Sequence, residues 1–421
     1  MRMRAAARLY MSDSGQLLVP HDLLAYGHRS RIILCSQGQG QPPLVLKATR
    51  LDVADAAAPT AAPDGGPSST PAERVRREIE LSGLALGTFV VASHGWLSVP
   101  PHVCLLLDYL PGGDLDLLVD RNGPLGPLAA RFYVGCAALG LEALHAQGIA
   151  HRDIKPENLC IDAAGYAVIA DLGFARRLPP DGHARTLLGT PEYLSPEVFL
   201  GEGHGTPSDL WALGATLYTL LLSAHPYGGQ TTDEIYAAAL RGAPFFPERV
   251  MPDAAVELVT QLLARAPGDR PTAASLWSSR FFAAGAFLRA DDLAKDAVMS
   301  RAAAAPFVPR LRSSLDATHF ELPEPDSDEE GFSDDDEAAA AGGGKITVQQ
   351  PGGGVALASP SDPPRRRGVA GGGGGGGGER GIEVLGVNGG PLRRAHFHPP
   401  GRPCVSVEEL IGGSSAAVGE G

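Results

Sequence analysis

Apolar positions in the first hundred residues come in short runs, not in long helical stripes. Ile32-Ile33-Leu34-Cys35 and Leu44-Val45-Leu46 are two such runs, split by the polar turn Gln37-Gly38-Gln39-Gly40-Gln41-Pro42-Pro43. Runs of this length bounded by Gly and Pro predict strands. Residues 17–46 therefore read as strand-rich, and Lys47 ends the second run. Residues 72–86 carry their charges on one face and predict a helix. Residues 103–109 predict a buried strand that runs into the turn Leu110-Pro111-Gly112-Gly113, with a helix start at Asp114. The pattern then changes. Residues 128–147 have apolar side chains at three- and four-residue spacing and stop at Gly148. Helical patterns return over residues 209–222, 233–240, 254–264 and 273–282. A small strand-rich part followed by a larger helical part predicts an α+β chain in two lobes, divided at residues 110–113.

Composition shifts outside these elements. Residues 53–71 are rich in Ala, Pro, Gly and Ser and predict a mobile insertion. Residues 302–322 are irregular. Residues 321–337 hold ten Asp or Glu and no Lys or Arg, and residues 371–378 are unbroken glycine. Such composition buries too little apolar surface to offset chain entropy, so residues 323–421 are predicted to be disordered. The formal net charge is −13, and setting the acidic run aside leaves about −3 on the rest of the chain. A body so near neutral excludes a broad basic face for nucleic acid. The five cysteines (Cys35, Cys104, Cys136, Cys160, Cys404) have no paired spacing, which suits a reducing compartment and gives no zinc pattern. No apolar run reads as long enough to span a bilayer, and residues 1–9 lack the apolar core of a signal peptide. The expectation is a soluble cytoplasmic protein with access to the nucleus.

One stretch carries chemistry: His151-Arg152-Asp153-Ile154-Lys155-Pro156-Glu157-Asn158. Asp153 can accept a proton from a hydroxyl, Lys155 can neutralise phosphate charge, and Asn158 can hold a metal ion. Asp171-Leu172-Gly173 follows. Phosphoryl transfer needs charge neutralisation, alignment and a proton acceptor. Lys47 would reach nucleotide phosphates, and an acidic residue on the next helix would hold it. Asn158 and Asp171 would supply oxygens to one or two Mg²⁺ ions. Taken singly, each residue would pass for a solvated loop or strand-end side chain. Their order along the chain is what gives them meaning.

With these pieces in place, residues 17–290 resemble a eukaryotic-type serine/threonine protein kinase. The resemblance rests on Val45-Leu46-Lys47, a Glu-bearing helix, the loop ending in Asn158, Asp171-Leu172-Gly173, Gly189-Thr190-Pro191-Glu192-Tyr193, Ser195-Pro196-Glu197 and Asp209-Leu210-Trp211-Ala212-Leu213-Gly214. It implies a two-lobed kinase fold using ATP and Mg²⁺. The domains would be an extension (1–16), a β-rich small lobe (17–110), a helical large lobe (111–290), a tail segment (291–322) and the disordered remainder (323–421). Lys155 favours serine/threonine over tyrosine by analogy. A finer similarity is to the cyclic-nucleotide-dependent branch of the AGC group. It is carried by Ala164-Gly165-Tyr166-Ala167, Gly173-Phe174-Ala175, Ala305-Pro306-Phe307-Val308-Pro309 and Asp316-Ala317-Thr318-His319-Phe320. In such kinases this tail wraps over the small lobe and helps complete the ATP site. Asp269-Arg270-Pro271-Thr272 departs toward the general kinase form.

The family spacing from Lys47 puts Ala25, Gly27 and Ser30 on the three positions of a glycine-rich phosphate loop, with Ile32 over the base. Glycine serves there because backbone N–H groups must approach phosphate without side-chain obstruction. Glu78 fits the spacing as partner of Lys47, but it puts Ser82 where kinases place an apolar contact. Glu80 would put Leu84 there instead. Leu107 would border the adenine pocket, and Asp108 to Leu110 would form the hinge. Asp114 and Glu157 match acids that select basic residues before the phosphoacceptor, while Thr219 replaces a further acid and implies a narrower preference. Thr186 matches an activating phosphothreonine with Arg152 poised to pair with it, which implies an upstream activating kinase. Glu197 and Arg270 match a buried ion pair. No cyclic-nucleotide-binding module is visible before residue 17 or after residue 290, so such control would need a separate regulatory subunit or a missing segment. Ser327 and Ser333 stand in acidic surroundings, as targets of an acid-directed kinase or as plain parts of a solvated run. The departures in the glycine loop motivate a rival reading, a pseudokinase-like scaffold. Retention of Lys47, Asp153, Lys155, Asn158 and Asp171 argues against it.

Overall fold

An antiparallel sheet forms the small lobe in the computed structural model. The structure describes residues 10–11, 17–27, 29–38, 40–51, 70–99, 101–179, 182, 189–247, 250–283 and 293–320, with three short strand backbones beyond. Strands β1 (Tyr10–Met11), β2 (Leu17–Tyr26), β3 (Ser30–Ser36), β4 (Leu44–Arg50), β5 (Ser93–Val99) and β6 (His102–Asp108) pair in the order β1-β2-β3-β4-β6-β5. Side chains alternate between the two faces. One face packs Ile33, Cys35, Leu44, Leu46, Leu97, Cys104 and Leu106. The other packs Leu51, Trp96, Val103 and Leu105 against Val75 and Ile79 of helix α1 (Pro71–Ser82). Lys47 lies between Ile32 and Leu105 in register, so alternation turns it away from the Leu46 face and toward α1.

Helix α1 starts where Thr70 accepts the backbone N–H of Glu73 at 3.3 Å, with Pro71 at the first helical position. It stops at Gly83, short of the residue 86 that its composition predicts. Strand β5 carries no clear strand signal, since Ser93, His94, Gly95 and Ser98 dilute it. Pairing with β6 forms it, with a register shift between Ser93 and Gly95.

Helices α2 (Leu115–Asn122), α3 (Pro127–Ala146), α4 (Pro196–Phe199), α5 (Thr206–Leu222), α6 (Thr232–Arg241) and α7 (Asp253–Leu262) build the large lobe. By length and composition α3 could cross a membrane, which corrects the expectation that no apolar run is long enough. Its most apolar stretch is 72% buried in the lobe, as expected of a core helix. Residues 273–282 predict a helix but yield only a short 3-10 turn, Ser275–Ser278. The Thr272 and Ser275 hydroxyls bond to each other's backbone there and compete with the helical pattern. Two small two-stranded antiparallel sheets complete the lobe: β7 (Ile149–Ala150) with β10 (Arg176–Arg177), and β8 (Leu159–Ile161) with β9 (Ala167–Ile169).

The tail segment crosses both lobes. After α8 (Lys295–Met299), Lys295 pairs with Glu142 at 2.7 Å, and Arg301 bonds Asp162 while lying over the rings of Phe89 and Tyr166. Farther on, Leu315, Ala317 and Phe320 pack against Leu24, Leu34, Val45 and Tyr109 of the small lobe and its exit. Beyond residue 320, where composition predicts disorder, only the strand backbones β11 (Ile346–Val348), β12 (Gly381–Val384) and β13 (Arg393–His398) are described. β13 lies antiparallel along the edge of β5. Most of the 53–71 insertion, Ser327 and Ser333 lie outside the described residues.

Candidate active site

Between the lobes lies a cavity of about 660 Å³. Ala25, Gly27, Ser30 and Ile32 line its roof, Lys47 and Glu78 its inner wall, and Leu107, Asp108 and Leu110 its back edge. Asp114, Glu157, Asn158 and Asp171 line its floor. The roof is a tight β2–β3 hairpin in which Gly27 and Ser30 exchange backbone hydrogen bonds of 2.7 and 3.3 Å. A Cβ on Gly27 would meet nothing closer than 3.6 Å. Any demand for a small residue at that position therefore comes from what sits in the cavity, not from the hairpin.

The Lys47 ammonium bonds both oxygens of Glu78, at 3.0 and 3.1 Å, and Oδ1 of Asp171 at 2.7 Å. Glu80 points the other way, exposed and paired with Arg76 at 3.1 Å. The choice between the two glutamates is one of helix face, since neighbours two apart do not share one. Burial alone would lower the Lys47 ammonium, but Asp171 and Glu78 outweigh it and hold the charge firmly on. The depth of Asp171 in the cleft pushes its carboxyl up, yet Lys47 and the Gly173 N–H bring it down to about 2. Both acids on one lysine tie α1, β4 and the start of the Asp171 segment together. Ser82, the last residue of α1, lines a second cavity of about 190 Å³ together with Leu81, Leu86, Val90, Leu105 and Leu172.

Asp209 of α5 anchors the loop of residues 151–158 from below. Its buried carboxylate accepts the backbone N–H groups of His151 (2.9 Å) and Arg152 (2.7 Å) and a bond from His145 Nε2 (2.8 Å). Those bonds hold Arg152 at φ 71°, in the left-handed region that a bulky side chain avoids. Asp171 also has positive φ, at 51°. Asn158 donates Nδ2 to the backbone and carboxylate oxygens of Asp153, at 2.7 and 2.8 Å. Thr190 bridges Lys155 and Asp153: Lys155 Nζ donates to its hydroxyl at 2.9 Å, and that hydroxyl donates to Asp153 Oδ1 at 3.2 Å. Asp209 and Thr190 carry positioning roles that their motifs do not announce, because the roles depend on approaches across 35 to 64 residues of chain.

Asn158 turns its N–H₂ to Asp153, which leaves Oδ1 as an oxygen donor, and the Asp171 carboxylate stays 44% exposed. An amide oxygen and a carboxylate suit Mg²⁺, which retains water and phosphate ligands. Among the described residues no cluster of three His, Cys, Asp or Glu could hold a metal alone. A cation held by Asn158 and Asp171 would therefore rely on phosphate and water for its remaining ligands.

Three acids gather at the mouth of the floor. Asp114 caps α2, accepting the Leu117 N–H at 2.9 Å. Burial, helped by Asp116 and Glu157, raises its carboxyl to about 6. Asp116 faces Glu157 too, and sequence reading gives it no role. Thr219 is buried and spends its hydroxyl on the Ala215 carbonyl within α5. On the other side of the loop, Arg152 donates Nε to the Phe174 carbonyl at 2.7 Å. Its two terminal nitrogens are buried without a hydrogen-bond partner among the described residues. Burial, with Arg77 and Arg176 nearby, lowers its guanidinium to about 9. Thr186 lies outside the described residues. Phe320 of the tail closes the cavity's outer edge, stacking on Tyr109 with centroids 6.0 Å apart. The tail motif was readable, but not that Phe320 is the residue that reaches the wall.

In the large lobe, Arg270 and Glu197 form a buried two-point pair at 2.6 and 2.7 Å. Ser208 bonds the same carboxylate at 2.9 Å.

The protein kinase domain family model matches residues 33–282. The chain is 39% identical over 167 residues to the cGMP-dependent protein kinase of Eimeria tenella, covering 39% of this chain and 16% of that protein. It is 34% identical over 228 residues to cGMP-dependent protein kinase egl-4 of Caenorhabditis elegans, covering 54% and 29%. To a protein kinase C-like protein of Hypocrea jecorina it is 32% identical over 239 residues, covering 55% and 20%. The chain thus spans less than a third of the length of these relatives. With a family match over more than half of its residues and the cleft described above, the chain belongs to the protein kinase domain family, among relatives of the AGC serine/threonine group.

Proposed function

We propose that this chain transfers the γ-phosphoryl group of Mg-ATP to serine or threonine hydroxyls of proteins with basic residues before the acceptor. The observation that carries the reading is the double hold on Lys47 by Glu78 and Asp171. It keeps a full positive charge at the depth where phosphates would lie, and it does so with the acid that would also meet the metal. Bound Mg²⁺ would supply charge neutralisation between the phosphates. The substrate hydroxyl would give its proton to Asp153 as its oxygen bonds the γ phosphorus, while the bond from that phosphorus to the bridging oxygen breaks and ADP leaves. Lys155, held by Thr190 within 3.9 Å of Asp153, offsets charge gathering on the transferred group.

Asp114, Asp116 and Glu157 supply negative charge for arginine or lysine on the substrate. Phosphate on Thr186 would give the buried Arg152 an anion, which supports an upstream activating kinase. A separate regulatory subunit belongs to the same proposal. The test is transfer to a serine peptide with two preceding arginines against the same peptide with alanines. The basic peptide is expected to have the higher kcat/KM by about tenfold or more, the scale of one buried charged contact. Equal values would remove the basic preference, and no transfer to either would favour the scaffold.

A further inference from the structure

The tail segment that reaches the cleft carries its own basic motif. Arg310-Leu311-Arg312-Ser313 puts arginines three and one residues before a serine. All of Arg310, Arg312, Ser313 and Ser314 are exposed. Among the described residues, Ser313 Oγ accepts only the Leu315 N–H, at 3.3 Å.

Next to it is the latch that shapes the loop. Arg312 gives three hydrogen bonds to the Asp316 carboxylate: its backbone N–H at 2.7 Å, Nε at 3.0 Å and Nη2 at 3.1 Å. Thr318 adds its backbone N–H (3.0 Å) and hydroxyl (2.7 Å) to the same carboxylate. The Asp316 carbonyl in turn accepts the Tyr109 hydroxyl at 2.5 Å, and four residues on Phe320 stacks on that same Tyr109 at the cavity wall. The latch thus connects Ser313 to the nucleotide pocket through a single short loop.

We propose that Ser313 is a phosphorylation site for a second copy of this enzyme, and that phosphate there loosens the latch and weakens ATP binding. The proposal rests on the function proposed above. In the transfer, the Ser313 hydroxyl oxygen bonds the γ phosphorus of ATP. Its proton passes to Asp153 of the acting copy, the bond from the γ phosphorus to the bridging oxygen breaks, and ADP leaves. The acting copy must be a second one, because a docked tail is already part of its own cleft wall. The added phosphate carries about −1.5 to −2 charge beside Arg312. It competes with Asp316 for the guanidinium and repels that carboxylate, so both effects oppose the loop that seats Phe320.

The experiment mixes wild-type chain, Mg-ATP and a size-tagged Asp153→Asn copy, and maps phosphate by mass spectrometry, with a basic serine peptide assayed in parallel. Phosphate on Ser313 of the Asp153→Asn copy is expected, and none at that position in a Ser313→Ala version of it. The ATP KM of phosphorylated wild type should exceed that of Ser313→Ala by roughly two- to fivefold, the scale of an exposed charged contact. Phosphorylated peptide with a bare Ser313 overturns this proposal alone. So does an equal ATP KM in the two proteins. Transfer to neither peptide nor chain overturns the kinase reading as well.

Discussion

Replacing Asp209 by asparagine keeps the side chain's shape and removes its charge. The carboxylate now serves two backbone N–H groups at 2.9 and 2.7 Å, and His145 at 2.8 Å, at a site only 1% exposed. An amide retains one acceptor oxygen, so one buried N–H is left facing an N–H₂ group, at about 1–3 kcal/mol. Loss of charge assistance on the remaining bond adds roughly 1 kcal/mol. A total of roughly 2–4 kcal/mol corresponds to a fall in Tm of roughly 5–12 °C for a body of this size. The same bonds hold Arg152 in its left-handed backbone, so Asp153 shifts when they weaken. A misplacement of ~1 Å costs kcat on the order of 100-fold. The ATP KM should change little, since Lys47 and Glu78 belong to the other lobe. Acid sharpens the test. Burial pushes the Asp209 carboxyl up, but His145 and the Arg152 N–H hold it below its ordinary value. Its stabilisation is therefore complete above pH ~4 and lost as pH falls through the depressed folded value. The Tm gap between wild type and Asp209→Asn should shrink in that acid range. Thermal melts from about pH 3 to 8 and steady-state kinetics measure all of this. A variant within about 1 °C of wild type at neutral pH, with kcat within about twofold, would refute the reasoning.

Glu197→Gln breaks the buried two-point bond to Arg270 and leaves a guanidinium in the core. It should cost roughly 3–5 kcal/mol in denaturant titrations, and a loss under about 1 kcal/mol would mean that the remaining carbonyl bonds of Arg270 suffice. Ser82→Leu places apolar volume in the 190 Å³ cavity behind α1. It should raise stability by about 1 kcal/mol, read as a higher Tm, whereas a lower Tm would show that the wall cannot accept the longer side chain.

Much of the site was legible because its parts are local. Lys47 closes a short apolar run and sits mid-strand in β4, and Asp153, Lys155 and Asn158 lie within six residues of one another. Spacing favours Glu78 over Glu80 as the partner of Lys47, although the apolar position four residues on points to Glu80. Packing resolves it: Glu78 shares the inward face of α1 with Val75 and Ile79. The Ser82 that made Glu78 look wrong is accommodated by a void, not by an apolar contact. Asp209, Thr190 and Phe320 act through chain segments far apart in sequence, so no local pattern could assign them. Strand β5 owes its form to β6, and the turn at residues 275–278 to the hydroxyls of Thr272 and Ser275. The apolar helix α3 shows the opposite failure. Its composition fits a membrane as well as a core, and only burial distinguishes them.

The central claim is that this cleft moves phosphate with Asp153 as the proton acceptor. The direct measurement is transfer of γ-labelled phosphate from Mg-ATP to a basic serine peptide, by purified wild type and Asp153→Asn at equal concentration. Wild type should transfer it, and the variant should be slower by about 100-fold or more, the scale of a lost general base. Equal rates in the two proteins, or no transfer by wild type, would contradict the claim.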